Sequence, residues 1–317
     1  MASTQSHRRG VGAKALMRAF ILSVGAACSS AATDAAGTNL VLDAERAFTL
    51  PDTFVLGGAT LEPDGSIFAW SRSQPFIFHV RTDSTATVIP VSATAKPVGV
   101  ASVGDSLIEI LDADSKDLVT LDKSLSVRGR RPIVVTGEIA EGVRTNGGWW
   151  ITSFDSVAAR LTLVRPASTT ELIAKPFAKV RGLFAVTYDG ETMLVAFQDP
   201  ALGITRLDTL GNPLWHTTPS QAALLADALR DKTEWRALAV IRVGEDLLQT
   251  FADVRSDKRV LIVLDANGRL RRHTVTSALL AFIRADQHNK RVLAVRMLNH
   301  SELVTYRWRV GTASNSN

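Results

Sequence analysis

Side chains able to do chemistry are spread thinly along this chain. Its six histidines stand singly, and its one cysteine is Cys28. No His-Glu-x-x-His run and no paired cysteines supply zinc-ligand spacing. No Gly-x-Ser-x-Gly turn presents a serine nucleophile, and no glycine loop ending in Lys-Ser or Lys-Thr cradles a phosphate. What remains is a set of charged residues in similar surroundings: Lys96, Glu141, Arg181 and Arg236. Each stands at or just before an apolar run. Three of the four are basic, and guanidinium groups match carboxylate or phosphate geometry. The set suits a small anionic ligand if the fold gathers it in one place. Otherwise these are solvated or mutually paired charges at strand ends. The residues assign no catalytic group, no metal ligand and no cofactor.

The elements that would have to gather them repeat. An apolar stretch, a tight polar turn and a second apolar stretch recur six times. The turns are Pro63-Asp64-Gly65, Gly104-Asp105, Asn146-Gly147-Gly148, Asp189-Gly190, Gly244-Glu245 and Asp286-Gln287. Taking Gly65, Asp105, Gly147, Gly190, Glu245 and Gln287 as marks, the gaps are 40, 42, 43, 55 and 42 residues. A period near 40 built from strand signals predicts an all-β, six-bladed β-propeller with one four-stranded sheet per repeat. Its inner strands would begin near Lys96, Glu141, Arg181 and Arg236. That would bring the four to the mouth of a central channel.

Within the first repeat the alternation predicts strands at 57–61, 66–71, 76–81 and 86–91. Later repeats run from about 98 to 135, 141 to 174, 181 to 217, 236 to 275 and 279 to 310. Ile204–Gly211 and Leu261–Gly268 share one hairpin phrase: an apolar strand, Asp, two spacers and Gly. Asp can bond its own backbone in such a turn, and Gly permits positive φ. The sixth repeat ends one strand short, while 39–50 carries an unassigned strand signal. An N-terminal strand lent to the last blade would close the ring and remove two raw sheet edges. The long gap holds Thr218-Pro219-Ser220-Gln221, which reads as a helix start. A short helix over Pro219–Asp231 is expected, leaning over the channel mouth beside Arg181 and Arg236. The adjacent tryptophans Trp149-Trp150 read as one packed and one surface face of a strand.

The formal net charge of +5 misleads. Arg8, Arg9, Lys14 and Arg18 precede Cys28 with no acid among them, leaving 32 basic against 31 acidic residues from there on. A nearly neutral body does not offer the basic face that nucleic-acid binding needs. The four charges and the apolar run 19–27 instead fit a secretion signal. That run is too short to span a bilayer, which takes about 20 residues. Gly25-Ala26-Ala27-Cys28 resembles the lipobox of bacterial lipoproteins, whose cysteine is lipidated. It departs from it in placing Gly25 where Leu, Val or Ile is preferred, and conventional cleavage after Ala26 or Ala31 is the alternative. The expected organisation is a signal peptide over 1–27, a flexible tether over 28–38 and one propeller domain over 39–317.

On repeat length, blade count and hairpin pattern, residues 39–310 resemble the six-bladed β-propeller lipoproteins and NHL/TolB-like propellers of bacteria. The resemblance implies an exported monomer at the bacterial cell envelope, lipid-anchored at Cys28 or else periplasmic or secreted. Its expected role is non-catalytic binding of an envelope protein or small anionic ligand on the top face, with no nucleic acid. Propellers also host channel-centred hydrolases and lactonases, and that is the alternative. Some of these hold calcium on several channel oxygens. Here Glu141 is the one acid among the inner-strand starts.

Overall fold

The computed structural model describes residues 39–91, 94, 96–104, 106–122, 124–176, 184–189, 191–197, 203–208, 210–219, 235–253, 259–276, 280–297 and 301–311. Cys28, Arg181 and the expected helix beyond Pro219 lie outside them. The strands fall in six separate four-stranded antiparallel sheets. This is a six-bladed propeller.

β1 is Asn39–Thr49. Blade one holds β2 (Leu56–Leu61), β3 (Ile67–Ser71), β4 (Phe76–Val80) and β5 (Ala86–Pro90). Blade two holds β6 (Pro97–Val103), β7 (Leu107–Asp112), β8 (Asp117–Asp122) and β9 (Val127–Pro132). Blade three holds β10 (Glu138–Thr145), β11 (Gly148–Phe154), β12 (Ala158–Val164) and β13 (Thr169–Pro176). Blade four holds β14 (Phe184–Tyr188), β15 (Met193–Phe197), β16 (Ile204–Leu207) and β17 (Pro213–Thr217). Blade five holds β18 (Trp235–Val243), β19 (Asp246–Asp253), β20 (Arg259–Leu264) and β21 (Leu270–Thr276). The sixth sheet is β22 (Leu280–Asp286), β23 (Arg291–Met297), β24 (Ser301–Gly311) and β1, in that order. β1 runs antiparallel to β24 from the Asn39–Gly311 pair to the Thr49–Glu302 pair, with one irregularity between Ala44 and Arg46.

The burial pattern follows from this stacking. Each sheet is packed on both faces, so middle strands lose the alternation of a half-solvated strand. β3, Ile67-Phe68-Ala69-Trp70-Ser71, is buried at every position, as is β15. Outer strands such as β5 and β9 are mostly exposed. The buried apolar side chains fall into six clusters, and each spans one pair of neighbouring blades. The cluster of Leu50, Phe54, Ile67 and Phe78 with Leu293, Val295 and Leu303 joins blade six to blade one. The core is thus a ring of interfaces around an axis rather than one central mass.

This arrangement corrects the reading of the tryptophan pair. Trp149 and Trp150 are both buried, each 1 % exposed. Trp149 packs with Leu111 and Leu118 of blade two, and Trp150 with Val186 and Phe197 of blade four. Neither faces solvent, because a blade has a neighbour on each side. The third inner strand also begins earlier than expected, at Glu138 rather than Glu141.

Antiparallel order gives the ring two unlike faces. The upper face carries the links between blades and the turns joining second to third strands. The lower face carries the other hairpins. There Asp122, Asp208 and Asp265 each accept the backbone N–H two residues on, at 2.9, 2.8 and 2.9 Å, and Gly211 and Gly268 take positive φ of 93° and 79°.

Candidate functional site

The inner strands β2, β6, β10, β14, β18 and β22 surround the axis. Five of them carry a register irregularity: at Leu56/Gly58, Pro97/Gly99, Ile139/Glu141, Ala237/Val240 and Phe282/Arg284. An extra residue bends the strand and re-aims the side chains beside it, which is why bulges gather near functional sites. In blades one and two the residue after the irregularity is Gly58 or Gly99. Gly99 is needed for close approach: a Cβ there would lie 2.7 Å from the Gly142 carbonyl oxygen of the next inner strand. In blades three and six the corresponding residues are Glu141 and Arg284.

These two meet. Glu141 Oε1 lies 2.6 Å from Arg284 Nη2, and the two side chains are 23 % and 10 % exposed. Neighbouring inner strands touch in chain order, and β2 also touches β22. Blades three and six are therefore opposite in the ring, and the ion pair crosses the channel. Arg284 Nη1 also donates to the Ile283 carbonyl at 2.7 Å, the residue its own bulge leaves over. The Glu141 backbone carbonyl accepts from Thr152 Oγ1 at 3.3 Å. A guanidinium fork held this way is a receptor for one oxyanion, and Glu141 fills it.

The other sequence-predicted residues are placed differently. Lys96, just before β6, lies on the upper face and pairs with Glu138, the first residue of β10, at 2.9 Å. Arg236, second in β18, is half-buried, and its Nε is enclosed without a hydrogen-bond partner. Glu141 lies three residues into β10, down the channel rather than at its mouth. Lys96 and Glu141 are thus not brought into one cluster. Sequence reasoning missed Arg284 and Glu138. A lone arginine in the apolar run Leu280-Ala281-Phe282-Ile283-Arg284 was the signal for the first.

The lower face is tied from blade to blade. Glu62 Oε2 accepts the Ser102 N–H at 3.2 Å. Glu109 Oε2 accepts from Arg144 Nε at 3.0 Å and Trp149 Nε1 at 2.9 Å. Arg242 Nη1 reaches Glu191 Oε2 at 3.0 Å and Asp189 Oδ2 at 3.5 Å. Gln287 Oε1 accepts the Gly244 N–H at 3.0 Å, and Asn289 Nδ2 donates to the Pro63 carbonyl at 2.8 Å. Five of the six blade junctions are spanned in this way by described residues. Burial pushes the Glu62 carboxyl up to about 7; the Ser102 hydrogen bonds oppose this and Asp64 adds to it.

Among the described residues no group of three or more His, Cys, Asp or Glu could hold a metal ion. A calcium ion takes six to eight oxygens. Among the described residues the channel carboxylate Glu141 is engaged by Arg284. The described residues do not fit a channel calcium site.

No protein-family model and no curated protein matches this chain. Solved structures do. A catalytically inactive virginiamycin B lyase from Staphylococcus aureus, with quinupristin, is 13 % identical, covers 84 % of this chain and 88 % of its own, and has a TM-score of 0.55. Regucalcin from Agrobacterium tumefaciens, described as a calcium-binding protein, is 13 % identical over 83 % of this chain and 95 % of its own, with a TM-score of 0.56. A gluconolactonase from Xanthomonas campestris is 13 % identical over 84 % and 90 %, with a TM-score of 0.51. At these identities the likeness is one of fold.

Proposed function

We propose that this protein is a channel-centred hydrolase of a small lactone or ester, in preference to a non-catalytic scaffold using its top face. The observation that carries the reading is the Glu141–Arg284 pair, an acid and a guanidinium held together inside the ring. Solved propellers named as a lyase and a gluconolactonase share this fold.

The chemistry follows from the pair. A substrate carbonyl oxygen takes the guanidinium of Arg284, which stabilises negative charge as it develops there. Glu141, displaced, accepts a proton from a water that attacks the carbonyl carbon. The C–O bond to the leaving oxygen breaks, and Glu141 returns the proton to that oxygen. Until substrate displaces it, the Glu141 oxygen is occupied by Arg284, so activation waits for substrate. Hydrolysis of a panel of five- and six-membered lactones and aryl esters, followed by base uptake at constant pH, tests this. Glu141→Gln and Arg284→Met should each lower kcat/KM by about 100-fold or more on whichever substrate the wild type turns over. A panel wholly inert with the wild type, or unaltered turnover in both variants, overturns the reading.

The same proposal extends to the ends of the chain and to the segment after Pro219. Gly25-Ala26-Ala27-Cys28 supports export and a lipid anchor at Cys28 in a bacterial envelope, with the propeller as a monomer of the NHL/TolB-like lipoprotein kind. Labelling with a palmitate analogue in a bacterial host should mark the wild type and not Cys28→Ala; an unlabelled wild type points to conventional cleavage. Thr218-Pro219 supports a helix over Pro219–Asp231 above the channel mouth. The pairing of β1 with β24 supports ring closure by the N-terminal strand.

A further inference from the structure

We infer that the channel receives a compact carboxylate from the upper face, in the place on Arg284 now held by Glu141. The inference rests on the channel being the site, but not on turnover. The Arg284 side chain is nine-tenths enclosed, where an unpaired guanidinium is costly. An oxyanion partner relieves that cost. In the structure that partner comes from the opposite blade, and the bond is the simplest one for a ligand to exchange. One planar oxyanion replaces another, while the Nη1 bond to Ile283 can stay.

Direction of access comes from a separate observation. The lower face is tied across five of its six junctions by side chains and backbone donors. The upper face offers Arg236, whose buried Nε has no hydrogen-bond partner. Arg236, second in β18, sets a second positive charge toward that end of the ring. Glu141 is then an internal competitor: it holds Arg284 in the absence of ligand and weakens every carboxylate that binds.

That role makes an unusual expectation. Removing the carboxylate of Glu141 should strengthen binding rather than weaken it. Acetate and glycolate, with inorganic phosphate as the alternative oxyanion, are titrated by calorimetry in chloride-free buffer. Glu141→Gln should bind acetate or glycolate at least tenfold more tightly than the wild type, and its melting temperature should rise with the added carboxylate. Arg284→Met and the double variant Glu141→Gln/Arg284→Met should bind neither. Tighter phosphate than carboxylate in Glu141→Gln would overturn the carboxylate assignment. Equal affinity in wild type and Glu141→Gln, or undiminished binding in Arg284→Met, would overturn the exchange. If Glu141→Gln does not fold in carboxylate-free buffer, refolding it in acetate supplies the readout: recovery supports the inference, and failure in acetate while the double variant folds overturns it. Carboxylate binding with no lactone turnover sinks the hydrolase and leaves this inference standing.

Discussion

Glu62 is a buried carboxyl at the junction of blades one and two. It follows β2, is 7 % exposed, and accepts the Ser102 N–H of the neighbouring blade through Oε2 at 3.2 Å. Burial is the main cause that lifts its carboxyl from 4.5 to about 7. A carboxyl raised on folding binds its proton more tightly in the native state, so stability falls as pH rises between 4.5 and 7. The contribution is fully present below 4.5 and lost above 7. At ~1.4 kcal/mol per pKa unit the whole effect is about 3 kcal/mol, an order of magnitude for a nearly buried group. Glu62→Gln keeps an oxygen for the Ser102 N–H and cannot ionise. It should match the wild type within ~1 kcal/mol at pH 4.5 and exceed it by about 3 kcal/mol at pH 8, roughly 6 °C in Tm for a domain of this size. Urea unfolding of both proteins at four pH values gives the difference curve. Taking the difference removes other titrations, including Asp246, raised mainly by burial, and His79, lowered mainly by burial. A difference that stays flat from pH 4.5 to 8 would refute the reasoning.

A chain beginning at Pro51 loses β1, whose Leu40 and Leu42 are buried in the cluster between blades five and six. It should lose at least ~4 kcal/mol of stability and gain a tendency to associate through the bared edge of β24, read by denaturant melts and light scattering. Trp150→Ala, which empties a site sealed between blades three and four, should cost about 3–5 kcal/mol by urea unfolding. Gly142→Ala would place a Cβ 2.4 Å from Leu111 Cδ2 and 3.1 Å from Trp149, and should lower stability by roughly 1–3 kcal/mol in the same assay.

Much of the fold was legible because the repeat writes itself in local chemistry. Turns such as Pro63-Asp64-Gly65 need no distant partner: Asp64 Oδ1 accepts both the backbone N–H and the hydroxyl of Ser66, at 2.8 and 2.7 Å. The strands of blade one fall within a residue of their expected bounds for the same reason. Positions that depend on two neighbours at once were harder. Alternation along Trp149-Trp150 implies a wet face, and only the presence of blades on both sides removes it. Glu141 was visible as a charge beside an inner strand. Its depth in the channel follows from the bulge before it, and its partner stands 143 residues away on the opposite blade. No local pattern carries such a pairing. Arg284 showed only as a charge in an apolar run, a sign that something must neutralise it.

Both the proposed chemistry and the proposed exchange require that Glu141 and Arg284 sustain one another across the channel. A double-mutant cycle with Glu141→Gln, Arg284→Met and the pair together measures this directly through urea unfolding at pH 7. Each single variant strands a partly enclosed charge and should lose about 3 kcal/mol, discounted from the fully buried case because Glu141 retains some solvent. The double variant strands none and should recover most of that loss, giving a coupling of at least ~2 kcal/mol. Losses that simply add would contradict the trans-channel pair, and with it the account of the site.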